Sequence, residues 1–227
     1  MFLSRRKFLN YINCTGLTAI STPLFGSIQS NDNHHLLNYF KFSVGEIKIT
    51  VVSDGGFQLP ISSIDINSSE ENLKKHLKHY HMQEDHIYMN TNLAVIEVED
   101  KKLLIDVGSG SRFIGNTGKL FDNLSKANID PESITNVFLT HAHPDHILGI
   151  RDDFDETIFP DAEFMISEKE YGWWTKKNRV NEVDETFMQM VLWAQNSLNA
   201  IPEISLFKNE KSILPGVTVF ELSLIHI

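Results

Sequence analysis

Asn136-Val137-Phe138-Leu139-Thr140 runs directly into His141-Ala142-His143-Pro144-Asp145-His146. Its first part is short, apolar and β-branched or aromatic, as a buried strand is, and Ile134 to Leu139 is read as that strand. Three histidines and one aspartate then fall within six residues. Alternation places His141 and His143 on the same side of an extended chain, so both approach one cation. Pro144 stops the strand, and the turn it makes lets Asp145 and His146 face a second position. Imidazole and carboxylate donors suit zinc, manganese or iron, and no thiolate lies in the run. A polar loop that is histidine-rich by chance is the bland alternative. It is the better reading of one histidine and the poorer reading of this spacing.

Upstream, Phe40 to Val52 alternates apolar and polar residues (Phe42, Val44, Ile47, Ile49, Val51), and Gly45 marks a hairpin. Ser53-Asp54-Gly55-Gly56 reads as the turn that follows. Ser68 to Met82 reads as a helix opened by Ser69 and Glu70, with Leu73, Leu77 and Tyr80 on one face. Strands over Leu93 to Val98 and Leu103 to Val107 come next, then Gly108-Ser109-Gly110 and a helix over Lys119 to Ala127. Downstream, Ala162 to Ile166 and Val217 to Leu222 read as strands, and Glu168 to Trp174 and Glu185 to Leu198 as helices. Hairpins first and strand–helix alternation later predict a mixed α/β layered domain.

The 227 residues are 41% hydrophobic and 22% charged, which supplies one sizeable core. A formal charge of −10 argues against nucleic acid or an anionic membrane as partner. The single cysteine, Cys14, excludes an internal disulfide framework. No apolar run is long enough for a stable membrane span. Residues 1–30 read as an export signal: Ser4-Arg5-Arg6-Lys7-Phe8-Leu9, then a weakly apolar stretch from Tyr11 to Ile28. The Ser-Arg-Arg-x-Phe-Leu run resembles the twin-arginine signal, which implies export in the folded state by that machinery to the periplasm or beyond.

The histidine run resembles the hallmark of the metallo-β-lactamase superfamily, His-x-His-x-Asp-His at a strand end. The resemblance implies an αβ/βα sandwich holding two divalent ions, zinc first, with manganese, cobalt or iron as alternatives. His141 and His143 match the ligands of the first metal, and Asp145 and His146 those of the second. Leu104-Ile105-Asp106-Val107-Gly108 is similar to the strand end preceding the site, and Ser53-Asp54-Gly55 to the first hairpin's exit; Asp106 and Asp54 are thereby expected to support the imidazoles. Asp106-Val107-Gly108-Ser109-Gly110-Ser111-Arg112-Phe113, Phe159-Pro160-Asp161-Ala162 and Trp173-Trp174 look like the exported methyl parathion hydrolase and quorum-quenching lactonase branch. That likeness makes Phe113, Trp174 and Phe187 candidates for the substrate pocket, although aromatics in such places are more often core. The implied reaction is hydrolysis of a small ester, lactone or phosphotriester. Two ions about 3.5–4 Å apart hold a hydroxide that attacks the substrate, and Asp145 orients it and passes its proton on. A mononuclear-iron dioxygenase of the same superfamily and a non-catalytic fragment are the competing readings. The oligomeric state is left open, a homodimer included.

The resemblance implies more ligands than these four. A third histidine in a Gly-His-Thr-x-Gly-His context, a bridging aspartate and a final histidine are expected after the strand at Val217 to Leu222. Ser223-Leu224-Ile225-His226-Ile227 follows instead, and Leu222 to Ile227 looks like a translated sequencing adapter. The expectation is a C-terminally truncated chain: a partial domain over 31–222, its N-terminal half plus the start of the second, and a non-native tail over 222–227 whose His226 is no ligand. An authentic short protein is the alternative. Two donors per metal position bind weakly, so the literal chain is expected to be inactive and prone to aggregate. Two further features are discounted. His76, His79 and His81 lie among Lys74, Lys75 and Lys78, whose charge disfavours a cation. Gly108-x-Gly110 lacks the third glycine of a dinucleotide fingerprint.

Overall fold

A computed structural model describes residues 37–63, 69–153 and 156–222. The export signal over 1–30, Cys14, His34, His35 and the tail over 223–227 with His226 lie outside the described residues.

Seven strands form one sheet in sequence order, and the order follows from how each connection is made. β1 (Tyr39–Val44) and β2 (Ile47–Pro60) make the expected hairpin, with Gly45 at φ +60° in the tight turn. β2 does not turn at Ser53-Asp54-Gly55-Gly56. It continues to Pro60 through a register shift between Ser53 and Gly55, so the polar residues that read as a turn are a bulge inside a long strand. β3 (His86–Val98) and β4 (Lys101–Ile105) complete an antiparallel half. β5 (Asn136–Leu139), β6 (Glu163–Ser167) and β7 (Ile204–Phe207) then add parallel strands. Parallel neighbours need crossovers. Helices α2 (Leu120–Lys126), between β4 and β5, and α4 (Glu168–Thr175) and α5 (Glu185–Asn199), between β6 and β7, lie in them. α1 (Glu70–His79) begins where expected: the Ser69 hydroxyl accepts from the Asn72 amide at 3.3 Å, and Leu77 is its buried residue.

β7 and a separate hairpin of β8 (Glu210–Leu214) and β9 (Val217–Phe220) were not all legible in the sequence. The first two are short, and only β9 carries a clear apolar alternation. Glu221 ties the hairpin to the main sheet: its carboxylate accepts from the Ser167 hydroxyl at 2.7 Å and pairs with Lys169 at 2.9 Å.

The central strands are buried on both faces, as parallel strands are. Leu104, Val137, Leu139 and Ile166 face the large core with Leu124, Val191 and Leu198 of the helices. Leu103 and Phe138 face the other way, against Phe207, Leu214 and Val219. β1 is an exposed edge strand along its whole length. No helix among the described residues is long and apolar enough to cross a membrane. The architecture is a mixed α/β fold, a central sheet with helices packed on it, as the pattern predicts.

Candidate metal centre

The site forms where the ends of β4 and β5 meet. β4 stops at Ile105 because Asp106 turns left-handed, at φ +59°, a conformation aspartate tolerates better than most residues. The Asp106 amide donates to Phe138 O at 2.8 Å and the Val107 amide to His146 O at 2.9 Å, so the end of β4 is clasped both to β5 and to the helical turn that bears His146. Behind them Gly149 donates to Gly108 O at 2.9 Å, and a Cβ on Gly149 would lie 1.9 Å from Val107 O. Only glycine permits that approach.

With its backbone so aimed, the buried Asp106 carboxylate takes three hydrogen bonds. The Thr140 amide donates to Oδ1 at 2.7 Å, the Thr140 hydroxyl to Oδ2 at 2.8 Å, and His146 Nδ1 lies 2.8 Å from Oδ2. Because Thr140 spends its hydrogen on Asp106, its oxygen accepts from His141 Nδ1 at 2.9 Å. That assigns the Nε2 lone pair of His141 to the site, and the same logic applies to His146. Pro144 sits in the first turn of α3 (Pro144–Ile147), with His143 as its N-cap.

The side chains of the histidine run lie near one another, and among the described residues the donor atoms that group around one point are those of Asp106, His141 and His146, without His143 and Asp145. Ring centroids of His141 and His146 are 4.0 Å apart, and those of His141 and His143 4.7 Å. Asp145 Oδ2 lies 3.2 Å from His146 Nε2. Ligand atoms of Asp106, His141 and His146 lie within 4.8 Å of one another. Asp106 therefore stands closer to the imidazoles than a remote supporting role requires. This donor set, nitrogen and carboxylate oxygen without sulfur, fits divalent cations of the zinc or manganese type.

Electrostatics agree. Burial, with the neighbouring imidazoles, pushes His141 down to about 4. Burial also lowers His143. At His146 burial acts downward too, but hydrogen bonds to Asp106 and Asp145 outweigh it and lift the ring to about 10. Burial pushes Asp145 up, and the hydrogen bond and charge of His146 more than reverse this, holding it below the ordinary carboxylate range. Two imidazoles are thus neutral at physiological pH, and a third holds a proton that a cation would displace.

The remaining candidates divide. Trp174 and Phe187 stack 5.8 Å apart and both approach His143, at 5.7 and 6.3 Å. Phe113 packs instead against Phe57 and Trp193. Asp54 is fully buried, but its carboxylate accepts from the Ser109 and Leu120 amides, both at 2.9 Å, and not from a histidine. It joins the β2 bulge to the loop after β4 and to the start of α2. Two residues to which the sequence assigns no role complete the surroundings: Thr140, and Glu170, whose Oε1 accepts from the Ala142 amide at 3.1 Å and from Trp174 Nε1 at 2.6 Å. Among the described residues the histidines of α1 form no such cluster; His76 and His79 are exposed beside Tyr80.

Residues 88–187 match the sequence model of the metallo-beta-lactamase superfamily. No curated protein sequence matches the chain. Among solved structures, AidC, a dizinc quorum-quenching lactonase in complex with a homoserine product, superposes with a TM-score of 0.71 at 29% identity, over 78% of this chain and 64% of that one. AbOPH, a hydrolase in the beta lactamase superfamily, gives 0.67 at 23% identity, over 76% and 62%. A probable metal-dependent hydrolase from Staphylococcus aureus gives 0.61 at 21%, over 78% and 64%. The last two speak for the fold alone. The chain spans a little under two-thirds of the length of each of the three.

Proposed function

We propose that this chain, whose residues 88–187 match the metallo-beta-lactamase superfamily model, is the metal-bearing part of a hydrolase that opens small lactones, with related esters and phosphotriesters as further substrates. One observation carries the reading: His141, His143, Asp145 and His146 gather at the end of β5 around a carboxylate-anchored imidazole. The lactone preference is supported by the likeness to the dizinc lactonase AidC. Two zinc ions are the proposed complement, held by His141 and His143 and by Asp145 and His146; these four donors alone do not close two coordination spheres. Zinc there would supply Lewis acidity toward a carbonyl or phosphoryl oxygen and would make water more acidic.

The chain's own groups do the rest. Asp106 holds His146 in one orientation, and Thr140 holds His141. Asp145, ionised at neutral pH, accepts a proton from an attacking water. Phe187, partly buried, gives an apolar surface beside His143 for the non-reacting part of the substrate, with the core residue Trp174 stacked behind it. Twin-arginine export to the periplasm, read from Ser4 to Leu9, belongs to the same proposal; its test is whether Arg5→Lys/Arg6→Lys leaves the protein in the cytoplasm.

The activity is tested with the zinc-loaded protein on an N-acyl homoserine lactone, an aryl ester and a phosphotriester. Zinc-dependent lactone turnover is expected, with a fall of about 10²–10⁴-fold in Asp145→Ala. Turnover of none of the three, or turnover indifferent to Asp145, contradicts the proposal.

A further inference from the structure

Past Leu139 the chain leaves the sheet, yet His141 and His143 must be held in place by the backbone between them. That backbone is anchored at alternate amides. Asp106 takes the Thr140 amide at 2.7 Å, immediately before His141. Glu170, from α4, takes the Ala142 amide at 3.1 Å, immediately after it. Ala142 is fully buried, so its N–H has no water to turn to. The same Glu170 oxygen accepts from Trp174 Nε1 at 2.6 Å, one helical turn along α4. Trp174 is in turn the aromatic neighbour of His143.

We propose that Glu170 is a positioning residue of the centre: one carboxylate oxygen fixes both the Ala142 amide, between two of the imidazole donors, and the Trp174 indole that packs edge-on against His143. It is the counterpart of Asp106 on the opposite flank of His141. Neither residue needs to touch a cation to act, because a donor whose main chain is fixed loses less freedom when it ligates. The consequence for metal rests on the hydrolase reading above; the consequence for the Ala142 amide does not.

Three variants of the full chain separate reach from charge. Glu170→Gln keeps an acceptor oxygen at the same distance. Glu170→Asp keeps the charge and withdraws the oxygen by one methylene. Glu170→Met keeps the length and removes the acceptor. Two quantities are read: hydrogen exchange at the Ala142 amide in metal-stripped protein, and zinc affinity by competition with a fluorescent chelator. Glu170→Gln is expected to stay near the parent in both. Glu170→Asp and Glu170→Met are each expected to speed Ala142 exchange by at least about tenfold and to weaken zinc by roughly 10–100-fold. Ala142 exchange unchanged in Glu170→Asp or in Glu170→Met overturns the proposal, as does a loss in Glu170→Gln equal to theirs. Should one of the three fail to fold, the other two still decide. A parent that takes up no zinc sinks the metal reading, and the exchange data then judge Glu170 alone.

Discussion

Thr140 is bound to Asp106 twice, by its amide to Oδ1 at 2.7 Å and by its hydroxyl to Oδ2 at 2.8 Å. The pair fastens the end of β5 to the end of β4 and, through the remaining reach of Oδ2 and of the hydroxyl oxygen, orients both His146 and His141. A fold that could have left its histidines on a free loop instead fixes them from the nearest strand end.

Asp106→Asn tests that arrangement with the shape preserved. An amide in place of the carboxylate keeps one acceptor for the Thr140 N–H but presents a donor where Thr140 and His146 also donate. The protein is expected to fold, and its zinc affinity to fall by roughly 10–100-fold. Chelator competition reads this; an unchanged affinity would mean that the His146 orientation is set elsewhere.

Thr140→Val removes only the hydroxyl. Its amide bond to Asp106 remains, while His141 loses the acceptor that selects its tautomer. A smaller loss of zinc affinity is expected than for Asp106→Asn, and Thr140→Ser is expected to restore it. Equal behaviour of Val and Ser variants would remove the hydroxyl from the account.

The metal-free protein is expected to have a stability optimum to which His146 contributes in one sense and His141, with the likewise lowered His143, in the other. His146 is lifted from 6.5 to about 10, so the stability it lends is fully present below its unfolded value of 6.5 and is lost as pH rises toward 10. His141 is lowered from 6.5 to about 4, so the unfolded chain binds more protons between those values and stability falls as pH drops from 6.5 to 4. Urea midpoints measured in chelator from pH 4 to pH 10 should therefore pass through a maximum near neutrality. In His146→Gln the alkaline decline should flatten; its persistence would assign it to another group.

Gly149→Ala is expected to be destabilising by roughly 1–3 kcal/mol through overpacking, because its Cβ would meet Val107 O at 1.9 Å. Val107 and Gly108 must move away, and with them the amide that holds His146 O. A lowered urea midpoint together with weaker zinc binding is the expected pair of outcomes. A midpoint equal to the parent's would show that the two backbones are free to separate.

The quartet was legible because its donors are contiguous and a strand and a proline dictate where they point. Asp106 was legible as a strand-end residue, although its threefold hydrogen bonding was not. Glu170 carries no local signal: it lies 28 residues beyond Ala142 and meets it only because β5 and β6 are parallel neighbours with α4 rising from the second. Asp54 misled in a different way. A Ser-Asp-Gly-Gly run has the composition of a turn, but pairing with the long β3 carries the strand through it, and the aspartate serves backbone amides instead of imidazoles. Trp174 and Phe187 reach His143 because α4 and α5 pack on the same side of the sheet, whereas Phe113, on a loop, turns to Phe57 and Trp193.

The most direct measurement is the shift in urea midpoint when zinc is added to the metal-stripped chain. A ligand that binds only the folded state stabilises it by about 2.7 kcal/mol at a hundred times its dissociation constant. The parent should shift upward with zinc and His141→Ala/His146→Ala should not. A parent indifferent to zinc, or a shift that survives the double substitution and vanishes in His76→Ala/His79→Ala, would place the metal elsewhere and contradict the account.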